Sequence, residues 1–491
     1  MLACLEEKAQ MQEKSQIYVN QALHENHYWT KNDPVTISGH ASDLQYISSV
    51  YIDNYLIFTQ RAQQTVYFSK QLSLDQGSHD LFISVKDLLG DVTRKIIHVH
   101  VDRFGPIISI RKKNDSRIEG ELYDDSGEIF MTVNQQKVHL EKGKRVQFSI
   151  PVIPNESLTM IAQDKAGNTT LAKIGENIHK PLLADYWHFR SDITGLSGLK
   201  PDINLFGWEN ATIVYSQRVD IEGKIVSQYP VQRLIIGDYV MPVNGLYVFF
   251  NQSVLLDWGD NHLNVDVWDK SGNQTTKTVS IVCHQPEIQK KYLRYTILKN
   301  SFEFSGHLEN QHVLDQIFFD AMNHQKNRFV FLIQKQLESE SKRIDAIMPG
   351  FVYYSNKGVE ITTRLVDIDT GRIMAIKDSY CESPDATNFA FMAEEIVNKY
   401  TQFFPVVISK IQRIDSKEIE IQSNEKISLG WPMIVYDERP KYNPVTDKFL
   451  GARTDIVGKA RIINHLGKNK YACQIDSQQN AFTLTQKAIS R

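Results

Sequence analysis

Cysteine is scarce in this chain: Cys4, Cys283, Cys381 and Cys473 are the whole set in 491 residues, and no two form a Cys-x-x-Cys pair. That spacing encodes neither a zinc site nor a thioredoxin-type centre, and it argues against a disulfide-stapled mini-domain. An oxidising compartment stays open, because large domains stabilise themselves by core burial. No apolar run approaches the roughly 20 residues that a bilayer-crossing helix needs. Charge of one sign is missing too. The formal net charge is −3 and no segment carries a basic stripe, so nucleic acid is not an expected partner. There is no hydrolase elbow, P-loop, dinucleotide fingerprint or helical His pair, and the carboxylates fall in no acid-and-base pattern. The expectation is a protein that is not an enzyme, with no catalytic residues, no cofactor and no resident metal.

What is present is punctuation. Three runs of alternating apolar residues end in an Asp-x-x-Gly-Asn/Asp turn: Asp87-Leu-Leu-Gly90-Asp91, Asp164-Lys-Ala-Gly167-Asn168 and Asp269-Lys-Ser-Gly272-Asn273. In the first and third copies a Gly lies ten positions upstream of the Asp, at Gly77 and Gly259, and another Gly opens the unit, at Gly39 and Gly223. The chain is too long for one core. Matching turns at a domain-sized interval imply tandem β-sandwiches. Asp and Asn could ligate Ca²⁺, but such a site needs about six to eight oxygens. Each turn supplies two side-chain groups, and no acidic partners stand close in sequence. The turns are therefore read as structural: Asp caps, Gly takes φ > 0, and Asn tolerates the left-handed region.

The fold class expected is multidomain and mainly β: three tandem Ig-like sandwiches, a small α/β domain and a closing small β-barrel. Residues 1–33 read as an N-terminal helix and linker, the helix running from about Glu6 to Tyr28 without Gly or Pro and broken at Lys31-Asn32-Asp33-Pro34. The sandwiches span 34–104, 105–175 and 200–286, with a linker at 176–199 that contains Tyr186-Trp187-His188-Phe189. Residues 287–405 mix strands with two amphipathic helices, one near 312–323 and one at 389–404. Residues 406–491 are again all β.

Several residues invite a chemical reading. His98 and His100 alternate along one strand and could share a metal, though exposed strand histidines are the commoner outcome. Six Asn-x-Ser/Thr sequons, at Asn114, Asn155, Asn168, Asn210, Asn251 and Asn273, read as chance. Met1-Leu2-Ala3-Cys4 resembles the tail of a bacterial lipobox, in which the Cys receives lipid. No charged and apolar leader precedes it, so a lipid-bearing Cys4 and a chance Cys both stay open.

Some of these motifs carry a resemblance. Gly259-Asp-Asn261-His-Leu263-Asn-Val265-Asp-Val267-Trp-Asp269-Lys-Ser-Gly272-Asn273 resembles the last two strands of fibronectin-III-like repeats in bacterial envelope proteins. The first unit departs from the pattern at Ser78 and Asp91, and the second is degenerate. Residues 290–405 look like the α/β domain of CsgG, LpoB and the TolB N-terminal domain. That likeness rests on Arg328-Phe-Val-Phe, Ile344-Asp-Ala-Ile-Met-Pro-Gly350 and Ile361-Thr-Thr-Arg-Leu-Val-Asp-Ile-Asp-Thr-Gly-Arg-Ile373. The closing module is similar to the C-terminal module of FlgT through Leu429-Gly430, Val435-Tyr436 and Thr446-Asp-Lys-Phe-Leu-Gly451. Residues 334–343 are too short and charged for the hairpins of a CsgG-type pore.

The resemblance implies a periplasmic or outer-membrane scaffold. Its Ig-like spacer would carry a head that docks on another envelope protein: a peptidoglycan synthase, an appendage base or an export assembly. The alternative is an extracellular adhesin or glycan-binding protein with Trp187, Trp208, Trp258 and Trp268 as sugar platforms.

Overall fold

The computed structural model of the chain describes residues 15–21, 23–53, 55–58, 62–113, 116–151, 157–174, 200–208, 211–290, 294–305, 311–324, 329–333, 344–381 and 385–490. Cys4, Trp187 and the rest of the 176–199 linker, and residues 334–343 lie outside these. The architecture is multidomain and mainly β, and it holds Ig-like sandwiches, an α/β unit and a closed barrel.

The first sandwich is organised by one long strand, Val35–Ile52, whose inward residues Val35, Ile37, Ala41, Ile47, Val50 and Ile52 are buried. Its first half pairs with Gln63–Leu72. After a register break between Ser42 and Ile47 its second half pairs with Gly77–Asp87, so one strand serves both layers. The helix expected near residues 6–28 is not what residues 15–30 form. Gln16–Val19 lies antiparallel on Val35–Ile52, and His27–Thr30 runs parallel to Val92–Val101. Ile17 and Val19 alternate, and two open sheet edges offered unpaired backbone groups, which overrode the helical pattern.

The opening glycines have a steric reason. A Cβ on Gly39 would lie 2.0 Å from the Tyr18 carbonyl oxygen, and one on Gly223 would lie 2.8 Å from that of Asn204. In each unit a short strand, Gln16–Val19 or Asp202–Leu205, crosses at that glycine. Each glycine also pairs across the sheet with a phenylalanine whose ring covers it: Gly39 with Phe68, Gly223 with Phe250 and, in the second sandwich, Gly120 with Phe148.

The second sandwich sets Ile107–Lys113, Arg117–Tyr123 and Arg145–Pro151 against a sheet of Phe130–Val133, Gln136–Val138, Leu158–Gln163 and Thr169–Ile174. The third is built on a long hairpin, Arg218–Ile236 with Tyr239–Leu255. These two sandwiches share a continuous nine-stranded sheet, because Ile107–Lys113 pairs with Tyr239–Leu255 at Ile110↔Tyr247. Along that strand Tyr247 and Phe249 pack into the second core, while Val248 and Phe250 pack into the third.

In the α/β unit the helices Gln311–His324 and Ala386–Phe403 pack together, and the second lies on the strand Ile373–Cys381. Asp385 caps the second helix by accepting from Asn388 N–H. Six strands from Ile408–Ile414 to Lys487–Ser490 close the barrel. Sequence divides these into separate modules, but their cores are one. The Phe404 ring stacks on Trp431 at 4.0 Å, and Tyr295 sits 4.7 Å from the same indole.

The sandwiches do not line up as an extended spacer. Asp33 binds Arg218 of the third sandwich at 2.8 Å, and Lys448 of the barrel binds Asp220 and Glu222 at 2.9 and 2.8 Å. Gln402 on the second helix donates to the Ile57 carbonyl of the first sandwich at 3.1 Å. The modules close around a shared cleft.

Candidate functional site

The three turns share one geometry. The Asp carboxylate accepts the backbone N–H four residues on, at 2.8 Å from Asp91 to Asp87, 2.8 Å from Asn168 to Asp164 and 2.9 Å from Asn273 to Asp269. Gly90, Gly167 and Gly272 hold φ of 96°, 87° and 84°. Two of the turns add a second bond, from the Asn amide to the other carboxylate oxygen, at 2.7 Å in the second unit and 2.9 Å in the third. Asn261 explains its own place in the repeat by accepting from Asp257 N–H and donating to the Asp257 and Gly259 carbonyls.

The turn at Asp164 differs in its company. Asp102, on the connector leaving the first sandwich, and Asp124, at the end of Arg117–Tyr123, reach the same point. Ligand oxygens of the three residues lie within 4.8 Å of one another. Their exposures are 6, 4 and 2% for Asp102, Asp124 and Asp164. Burial raises the Asp124 carboxyl to about 7 and that of Asp164 to about 6, with Asp102 adding repulsion to both. Asp102 is raised as well, first by burial. The charges acting on Asp124 are the two other carboxylates. Asn168 ties the joint by donating to the Asp102 carbonyl and to Asp164 Oδ2, both at 2.7 Å. The expectation that Asp164 lacks acidic partners is corrected here. Sequence proximity hid them, although Asp124-Asp-Ser-Gly127 is itself an Asp-x-x-Gly turn, with Ser126 N–H on Asp124 Oδ1 at 2.8 Å.

The central cleft holds about 1070 Å³ and is lined from all three sandwiches and the barrel, with Asp33, Arg103, Arg218, Trp258 and Lys448 on its walls. A smaller cavity of about 360 Å³ is lined by residues of both the α/β unit and the barrel. Arg461 fills its acidic wall, 3.2 Å from Asp367 and 3.6 Å from Asp369 and Asp476.

Other sequence candidates fall apart or gain neighbours. Trp208 is buried in the third core and cannot serve as a sugar platform, while Arg233 covers the Trp268 ring at 5.2 Å. Trp258 is 38% exposed. His98 and His100 gain His27 from the neighbouring strand. His27 Nδ1 is 2.8 Å from His100 Nε2, while His98 Nδ1 is 2.7 Å from Asp80 Oδ1. Asn168 and Asn251 are buried and bonded, so these sequons are structural amides.

No protein-family model and no curated protein matches the chain. Among solved structures it is similar to the PelC dodecamer from Paraburkholderia phytofirmans, at 14% identity over 22% of this chain and 86% of that one, with a TM-score of 0.17. It is also similar to fibronectin(III)-like modules of Clostridium thermocellum CbhA, at 11% identity over 36% and 90%, TM-score 0.15. A third is a Bacteroides ovatus surface glycan-binding protein, SGBP-B, in complex with a mixed-linkage heptasaccharide, at 10% identity over 98% and 100%, TM-score 0.14. Superpositions this loose carry nothing about activity or ligand.

Proposed function

We propose that the chain is a non-enzymatic scaffold of the bacterial envelope, periplasmic or at the outer membrane, whose α/β and barrel head docks on another envelope protein. The CsgG-like and FlgT-like assignments belong to this reading, as do the peptidoglycan-synthase, appendage and export partners. One observation supports it above the rest. Both helices pack on one side of the α/β sheet, and the opposite side exposes Phe351, Tyr353, Ile376 and Tyr380. Strand register sets Tyr353 beside Glu360 and Glu360 beside Tyr380, which makes an apolar face with charge within it. Such a face suits a protein surface better than a small ligand.

A photo-crosslinking residue at position 353 of the full chain, in a bacterial host, tests this. The expected result is one defined covalent adduct with an envelope protein, absent when the residue stands at exposed Tyr67 on the first sandwich. No adduct at position 353 counts against the docking head.

The adhesin reading keeps one observation in its favour, the exposed Trp258 on the wall of the large cleft. Glycan binding by the full chain that disappears in Trp258→Ala would select it instead.

A further inference from the structure

We propose that Asp102, Asp124 and Asp164 bind a hard divalent cation, Ca²⁺ by preference, at the joint between the first two sandwiches. Three separate chain segments bring these carboxylates together inside the protein, and the donors are all oxygen. Oxygen-only ligation selects Ca²⁺ or Mg²⁺ over zinc or copper.

A second observation comes from a different side chain. Thr170 is 1% exposed, and its hydroxyl has no hydrogen-bond partner. Thr170 pairs with Ala162, two rungs beneath the Asp164–Asn168 turn, and the buried alternation of both strands turns it to the same interior side as Asn168. Its Oγ1 would stand 2.5 Å from a Cβ on Gly105, so it abuts the connector that carries Asp102. A buried hydroxyl left without a partner is costly unless something occupies the space before it. The hydroxyl lies on the same interior face as Asn168, whose amide bridges Asp102 and Asp164. Three carboxylates and one hydroxyl leave room for bidentate binding and water to reach the oxygen count of Ca²⁺. The ion would fix the first sandwich to the second, because Asp102 belongs to one side of the joint and the other ligands to the opposite side. This inference is independent of the docking reading and survives its failure.

The test uses the full chain, stripped with EDTA and titrated with CaCl₂ and separately with MgCl₂ by calorimetry and thermal melting. The expected result is saturable uptake of one Ca²⁺ with a rise in melting temperature, and weaker uptake of Mg²⁺. Asp124→Asn and Asp164→Asn should each weaken Ca²⁺ binding by about tenfold or more, since each removes a ligand charge. The melting temperature of Asp124→Asn in EDTA should not fall, because it relieves like-charge repulsion while an amide oxygen still accepts from Ser126 N–H, whereas Asp164→Asn also gives up the acceptor that the Asn168 amide bonds. Should either fail to fold, Thr170→Val removes only the hydroxyl and should still weaken binding several-fold. No saturable Ca²⁺ binding by the wild type at millimolar concentration overturns the proposal. So does unchanged affinity in a folded Asp124→Asn, or tighter binding of Mg²⁺ than of Ca²⁺.

Discussion

Gly39, Gly120 and Gly223 each sit under a phenylalanine ring with a neighbouring carbonyl pressed against the Cα, so the smallest side chain already overfills the space. Gly223→Ala should lower stability by about 1–3 kcal/mol through overpacking, and Phe250→Ala by about 3–5 kcal/mol through the cavity it leaves. Denaturant melts of the two variants check both figures. At the Asp124 carboxyl the prediction is one of pH. The folded state holds that proton up to about pH 7, whereas the unfolded chain releases it near the ordinary value of 3.8. Between those values the folded state binds more protons, so this group's stabilisation is complete below pH 4 and is lost as pH rises through 7. In EDTA the melting temperature of the wild type should fall by a few degrees across that window relative to Asp124→Asn. His100, lowered first by burial and next by His27, has the opposite slope near neutrality, and the difference between the two proteins cancels it. Sequence displayed Asp164 and its turn but not the meeting with Asp102 and Asp124. Residues 40 and 62 positions apart converge only once two sheets and a connector are in place, and no local period reports that.

Strands were the most legible elements, because half-buried sandwich strands alternate with a period of two and end at glycine turns. Leu81, Ile83 and Val85 lead into Asp87 as the pattern implies, and Val265 and Val267 lead into Asp269. The strands that local pattern misses have two causes. Gln16–Val19 and His27–Thr30 are strands because an open edge accepts them, and no local signal encodes an edge. Phe130–Val133 was likewise unmarked: its four residues are too few to show a period. The strand Tyr239–Leu255 makes the sharpest prediction at this scale, since neighbouring residues serve different cores. Phe249→Ala should loosen the second sandwich and Phe250→Ala the third, each by about 3–5 kcal/mol. Hydrogen exchange on the two variants should show protection lost first in Leu158–Gln163 for one and in Gly259–Asp269 for the other.

At the scale of the molecule, spacing shows the multidomain, mainly β class but not how the modules close on one another. The contacts that close it, Asp33 with Arg218 and Lys448 with Asp220 and Glu222, are single side chains far apart in sequence. Each is a partly buried pair of single side chains contributing on the order of 1 kcal/mol, so neither leaves a composition signal. Trp431→Ala removes the indole shared by the α/β unit and the barrel. It should cost about 3–5 kcal/mol and shift the unfolding of both together, visible as one transition moving in calorimetry rather than two separating. The sheet that runs through the second and third sandwiches has a practical consequence for anyone cutting the gene. A fragment begun at residue 200 would carry Tyr239–Leu255 with the 247–249 stretch of one edge stripped of its neighbour, and with Tyr247 and Phe249 turned to water. Such a piece would be sticky, pairing with itself or with any extended chain it meets, so the repeat boundary read from the turns is the wrong place for scissors.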